Sequence, residues 1–242
     1  MIHSCRLFLA VLAAMVLTGC DRSLVSAVER PDSALDFPQP DRPVAPSVST
    51  GFGNEDSRDE RGEARIVMDL AKIRPGMTVA DIGAGEGYYT VRLAEQVGED
   101  GRVLAQDINR EALERLGRRV ERERLENISI KLGKEDDPQL PADSFDRIFL
   151  VRMYHEVAEP YAFLWRMWPS LTESGQVIVV GSDRSSQQQW IPHALLFCEF
   201  EAIGYELIEF VERPDIKGYF ARFGRGTARV AASAIRPCKL AS

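Results

Sequence analysis

The sequence predicts an α/β fold, a doubly wound, seven-stranded, mostly parallel sheet with an antiparallel last strand, covered by helices on both faces in three layers. Three observations carry this reading. Strand and helix signals alternate from Arg61 onward, a glycine-rich turn joins the first strand to its helix, and two alternating runs near the end leave no room for a helix between them. The first pattern demands parallel strands joined by crossover helices. The last demands an antiparallel pair at a sheet edge.

Each element has its own warrant. Ile66, Val67, Leu70 and Ile73 share one helical face, which Pro75-Gly76 stops. Met77 to Ile82 is a short apolar strand, and a turn leads from it into a helix over Tyr88 to Val97. Arg102 to Gln106 is the second strand, ended by Asp107. Asn109 can cap the next helix, which runs to about Arg124 with Glu and Arg in i, i+4 relation. Ile128 to Leu132, Phe145 to Val151 and Gln176 to Gly181 are the third, fourth and fifth strands, with a helix over Pro160 to Leu171 between the last two. A helix near His193 to Ile203 precedes the closing runs, Tyr205 to Glu212 and Gly218 to Phe223. The domain is expected to span residues 57–226, followed by a tail over 227–242.

The N-terminal quarter differs. Met1 to Gly19 holds Arg6 and no acid, and its apolar run from Leu7 to Leu17 is too short to span a bilayer but suits a secretory signal. Leu17-Thr18-Gly19-Cys20 resembles the lipobox of bacterial lipoproteins, which implies cleavage after residue 19 and a lipid on Cys20. Asp21 resembles an inner-membrane retention signal. These resemblances imply an inner-membrane lipoprotein with its domain facing the periplasm, the cytosolic face being the alternative. Residues 20–56 include Pro31, Pro38, Pro40, Pro43 and Pro46 and read as an extended tether.

The composition is that of a globular protein, 45% hydrophobic and 28% charged. A net charge of -7 disfavours bulk nucleic acid as a partner. No paired Cys/His spacing suggests a metal site. Of the four cysteines, Cys198 reads as an inert core residue, with a disulfide to Cys238 as the alternative.

The chemistry concentrates where the first strand turns into its helix, in Asp81-Ile82-Gly83-Ala84-Gly85-Glu86-Gly87-Tyr88. Open parallel sheets bind ligands at such turns. Tyr88 stands where a dinucleotide fingerprint needs glycine, which weakens an oxidoreductase reading. Asp81 would repel a pyrophosphate but favour a cation, and S-adenosylmethionine carries an ammonium and a sulfonium. Asp107, at the end of the second strand, can accept bonds from both ribose hydroxyls.

VADIGAGEGYYT, LAQDIN and LPADSFDRIFLVRMYHEV resemble motifs of the class I S-adenosylmethionine-dependent methyltransferases, and the likeness spans roughly Arg61 to Phe223. It implies methyl transfer to a small-molecule acceptor. Asp81, Gly83 and Gly85 would line the methionine end, with Gly87 also in the donor site, Asp107 would hold the ribose, and Ile108 would cover the adenine, whose amine Asp136 or Asp137 would meet. His155 and Tyr154, after the fourth strand, would face the acceptor, with His155 as a general base or as a residue shaping the loop. Gln187 to Gln189, Trp190 and His193 read as polar loop or acceptor lid. The donor is made in the cytosol whereas a lipoprotein domain lies outside it, so an exported binding module on a retired methyltransferase fold is the alternative function.

Overall fold

The computed structural model describes residues 30–42, 44–45, 55–182 and 191–239. The signal peptide, Cys20, Gln187 to Gln189 and Trp190 lie outside the described residues. The helices are α1 (Glu55–Glu60), α2 (Glu63–Leu70), α3 (Tyr88–Val97), α4 (Arg110–Glu123), α5 (Pro160–Met167) and α6 (His193–Ile203). The strands are β1 (Thr78–Ile82), β2 (Arg102–Asp107), β3 (Ile128–Leu132), β4 (Phe145–Val151), β5 (Leu171–Ser182), β6 (Tyr205–Arg213) and β7 (Gly218–Arg225).

The strands form one seven-stranded sheet in the order β3-β2-β1-β4-β5-β7-β6. β1 to β5 pair in parallel, and β7 runs antiparallel to both β5 and β6. This is the predicted topology. Its strand order reverses between β1 and β4, where the crevice at the carboxyl ends of the strands can take a ligand. Side chains alternate across the central strands: Val79, Phe149 and Ile178 pack with α2 and α3, whereas Ala80, Ile148 and Val177 pack with α5 and α6. Burial on both faces explains why β1 and β4 read as nearly continuous apolar runs. The Asn109 side chain caps α4, accepting a bond from the Ala112 N–H at 3.1 Å.

Three expectations need correction. The helix expected to reach Leu171 ends at Met167, because Trp168-Pro169-Ser170 tightens into a 3-10 turn and β5 starts at Leu171. Proline lacks the donor an α-helix requires there. The tether expected over 20–56 does not describe residues 31–42. Ala34 and Phe37 are buried against α5, with Phe37 edge-on to Trp165 at 5.6 Å, and the compact unit begins at Pro31. Finally, Cys198 is disulfide-bonded to Cys238, which lies in the core. Nearby, the Cys238 N–H donates to the Tyr161 hydroxyl at 2.7 Å and the Trp165 Nε1–H to the Val230 carbonyl at 3.0 Å, so the tail over 227–238 is fastened to the domain.

No helix among the described residues is long and apolar enough to cross a membrane.

Candidate functional site

The site is built at the carboxyl ends of β1, β2 and β4. Asp81, near the end of β1, is only 2% exposed and accepts a 2.6 Å bond from Thr90 Oγ1 at the start of α3. Burial pushes its carboxyl up to about 6, against the Thr90 bond and the positive charge of Arg58. A carboxylate held so far from water is poised to favour a cation that replaces its lost solvation.

The turn after β1 needs its glycines. Gly83, Gly85 and Gly87 all have positive φ, from 55° to 89°. A Cβ on Gly83 would lie 2.9 Å from Met153, one on Gly87 would strike Leu116, and one on Gly85 would meet nothing within 4 Å. Gly83 and Gly87 therefore serve packing, whereas Gly85 leaves open space beside the turn. The Gly83 contact also presses the loop after β4 against this turn.

Asp107 ties the second strand to the same place. Its Oδ2 accepts from the Gly85 N–H and its Oδ1 from the Asn109 N–H, both at 2.8 Å. An ionised carboxylate offers about four acceptor positions, so capacity for hydroxyl donors remains. Ile108 beside it is 44% exposed, an apolar side chain standing in solvent at the rim. Asp137 is partly exposed and accepts from the Gln139 N–H at 2.7 Å. Asp136, by contrast, is buried and ion-paired to Arg166 at 2.5 Å, with Ser33 Oγ as a further donor. Those partners outweigh burial and hold its carboxyl below the usual range. The alternative of Asp136 at the adenine is thus displaced, because its carboxylate is spent on α5 and on the segment from Pro31.

Tyr88 explains why its position is not glycine. The ring lies between the guanidinium groups of Arg58 at 3.6 Å and Arg92 at 3.9 Å, and its hydroxyl donates to Asp59 at 2.9 Å. Arg58 is also paired to Glu63 at 2.7 Å, and Glu63 to Arg152 at 3.2 Å. Burial raises the Glu63 carboxyl, but Arg152 and Arg58 outweigh it and hold it low. Arg152, directly after β4, has φ 54° and also donates to the Ile216 carbonyl at 2.5 Å, tying the strand's end to the turn before β7.

The loop after β4 carries the two proposed acceptor-side residues. Burial, then the charges of Arg42 and Arg152, push the His155 imidazole down to about 4. It is neutral near pH 7 and a weak base. Tyr154 corrects the expectation of an acceptor-facing hydroxyl. It is 2% exposed and donates to Glu199 of α6 at 2.8 Å, so it supports the loop from behind. His193 packs in an aromatic cluster, 4.7 Å from both Phe210 and Tyr219.

Arg42, Arg58, Glu63, Thr90 and Glu199 escaped the sequence reading. Only Thr90 carried a usable signal, since it stands one helical turn inside the glycine motif. Among the described residues no cluster of His, Cys, Asp and Glu could hold a metal ion. An open groove of about 980 Å³ between α3 and α4 lies at the opposite end of the strands, beside Arg102 and Asn127, and takes no part in this site.

Comparison with known proteins gives a consistent result. Residues 73–204 match the family model described as a methyltransferase domain. The chain is 36% identical over 86 residues to nocamycin O-methyltransferase of Saccharothrix syringae, covering 36% of this chain and 31% of that protein. It is 31% identical over 123 residues to the ubiquinone/menaquinone biosynthesis C-methyltransferase UbiE of Escherichia fergusonii, covering 48% of this chain and 47% of that one. The matched stretches span from about a third to three quarters of the curated relatives' lengths. A crystal structure of a SAM-dependent methyltransferase from Aquifex aeolicus superposes with a TM-score of 0.63 at 25% identity, covering 69% of this chain and 91% of that one.

Proposed function

The chain belongs to the methyltransferase-domain family, with S-adenosylmethionine as its methyl donor, and from that premise we propose a membrane-anchored enzyme that methylates an amphipathic small molecule. The single observation that carries the donor half is the buried Asp81 carboxylate facing a glycine turn whose Gly85 N–H is gripped by Asp107. The residues fit the donor's chemistry. Asp81 would take the ammonium group, Gly85 would let the backbone approach in a turn that Gly83 and Gly87 shape, and Asp107 would accept from the ribose hydroxyls. Ile108 would cover the adenine, and Asp137 would accept from its amine.

The donor supplies a methyl group on a sulfonium, with a neutral thioether as leaving group. The chain's work is then to align an acceptor in line with that methyl and to exclude water. His155, neutral at working pH, would accept a hydrogen bond from the acceptor's hydroxyl or amine and orient it. No strong base is required. The acceptor preference rests on the anchor expected at Cys20, which would hold the site at a bilayer surface whichever face of the membrane it occupies. The quinone-pathway name of one relative points the same way, and the family match lends no support to the binding-module alternative.

Isothermal titration of the full chain with S-adenosylhomocysteine tests the donor site. Micromolar binding is expected, and a folded protein that ignores millimolar ligand would end the proposal. The acceptor is tested by transfer of labelled methyl from S-adenosylmethionine to a demethylated quinol in detergent micelles against water-soluble catechol. Lipid labelling that disappears in Cys20→Ala, with protease accessibility in spheroplasts, tests the anchor and its side.

A further inference from the structure

Residues before the family-matched region reach into the site. The Arg42 side chain is 1% exposed and pairs with the equally buried Glu199 of α6 at 3.1 Å. It also donates to the Tyr154 carbonyl at 3.0 Å and to the Val157 carbonyl. Its guanidinium lies 4.9 Å from the centre of the Tyr154 ring, and three residues later the Ala45 N–H donates to the His155 carbonyl at 3.2 Å. One side chain and one amide thus hold carbonyls on both sides of His155 and at His155 itself. The same loop presses Met153 against Gly83 on the donor side.

Resting on the methyltransferase reading above, we propose that Arg42 is a positioning residue for methyl transfer, clamping the His155 loop to α6 from a segment that lies outside the family-matched region. Fixing a loop by its carbonyls requires a planar fork with several donors, which arginine has and lysine lacks. Stripped of Arg42, Glu199 would be a buried carboxylate supported by the Tyr154 hydroxyl, and the loop's link to α6 would fall to the Tyr154 side chain. Among the described residues, the charged neighbours of His155 include Arg42, Arg152 and Glu156, whose Oε1 is 3.7 Å from Nε2. Of these, Arg42 alone comes from the N-terminal segment.

The test uses the full chain in detergent, labelled with [15N]histidine, as wild type, Arg42→Lys and Arg42→Gln. Three quantities are read: S-adenosylhomocysteine affinity, the His155 titration midpoint, and amide exchange over residues 154–157. Both variants should speed that exchange by roughly tenfold or more. Arg42→Gln should also raise the His155 midpoint by roughly one unit, whereas Arg42→Lys, which keeps the charge, should leave it low. Donor affinity should change by no more than about threefold, since Arg42 touches no residue of the donor turn. Wild-type exchange in Arg42→Lys, with ligand still bound, overturns the proposal even where Arg42→Gln fails to fold. A folded wild type that binds no S-adenosylhomocysteine instead removes the methyltransferase reading beneath it.

Discussion

At the scale of single residues, burial disfavours the charged forms of both Asp81 and His155, and the two pull stability in opposite directions with pH. Asp81 has its folded pKa raised from 3.8 to about 6, so the folded protein holds a proton that the unfolded chain has lost. Its contribution falls as pH rises through that window. His155 has its folded pKa lowered from 6.5 to about 4, so its contribution grows as pH rises through its own window. Between about 4 and 6 the two slopes oppose each other. Against wild type, Asp81→Asn should make the unliganded stability curve rise more steeply with pH there, and His155→Gln should make it fall, as read by denaturant midpoints across the range. At pH 7.5 Asp81→Asn should also stabilise the unliganded protein by about 1–3 kcal/mol while weakening donor binding roughly tenfold or more, a trade typical of a functional charge. The positions of both in the fold were legible, because strand periods mark the end of β1 that holds Asp81 and the end of β4 that the His155 loop follows. The pairing that occupies Asp136 was not, since it joins Arg166 and Ser33, the latter 103 residues away in the chain.

Among elements, the glycine turn separates fold from function within five residues. Gly87→Ala should cost about 2–4 kcal/mol of stability, because a left-handed alanine there must also displace Leu116. Gly85→Ala meets open space, so it should cost only about 1 kcal/mol, yet weaken donor binding by roughly tenfold by filling the approach to the backbone. Thermal melts paired with titration of S-adenosylhomocysteine distinguish the two, and equal effects on both readouts would refute the division. The disulfide between α6 and the tail closes a stretch with a sequence separation of 40. Its reduction should lower stability by up to about 4 kcal/mol, seen as a lower Tm in reductant. Most elements were legible because helix and strand periods are local. The end of α5 was misjudged because apolar spacing was followed past Pro169, where the missing N–H decides. The disulfide was not legible, since cysteine spacing carries no information on which two cysteines the fold brings together.

For the whole molecule, the compact unit is longer than the family-matched region, starting at Pro31 rather than at residue 73. A chain starting at residue 57 removes Ala34 and Phe37 from the core and strands Glu199 and Asp136 without Arg42 and Ser33. Breaking the buried Arg42 pair alone should cost about 3–5 kcal/mol, roughly a 10 °C loss of Tm at this chain length. A chain starting at Pro31 should melt well above one starting at residue 57, and equal melting of the two truncations would show that the segment contributes nothing. Composition hid this segment: its prolines and acids have the signature of a linker, and its few apolar residues show no period that a strand or helix would impose. What fixes it is pairing across the chain, 157 residues apart for Arg42 and Glu199. The order of its attachments sets a path for mechanical load. Any pull applied from the N-terminal side meets Ser33, Ala34 and Phe37, seated on α5, before it reaches Arg42. Tension is therefore taken up by the hydrogen bonds of Ser33 and the apolar packing of Ala34 and Phe37, ahead of the loop bearing His155.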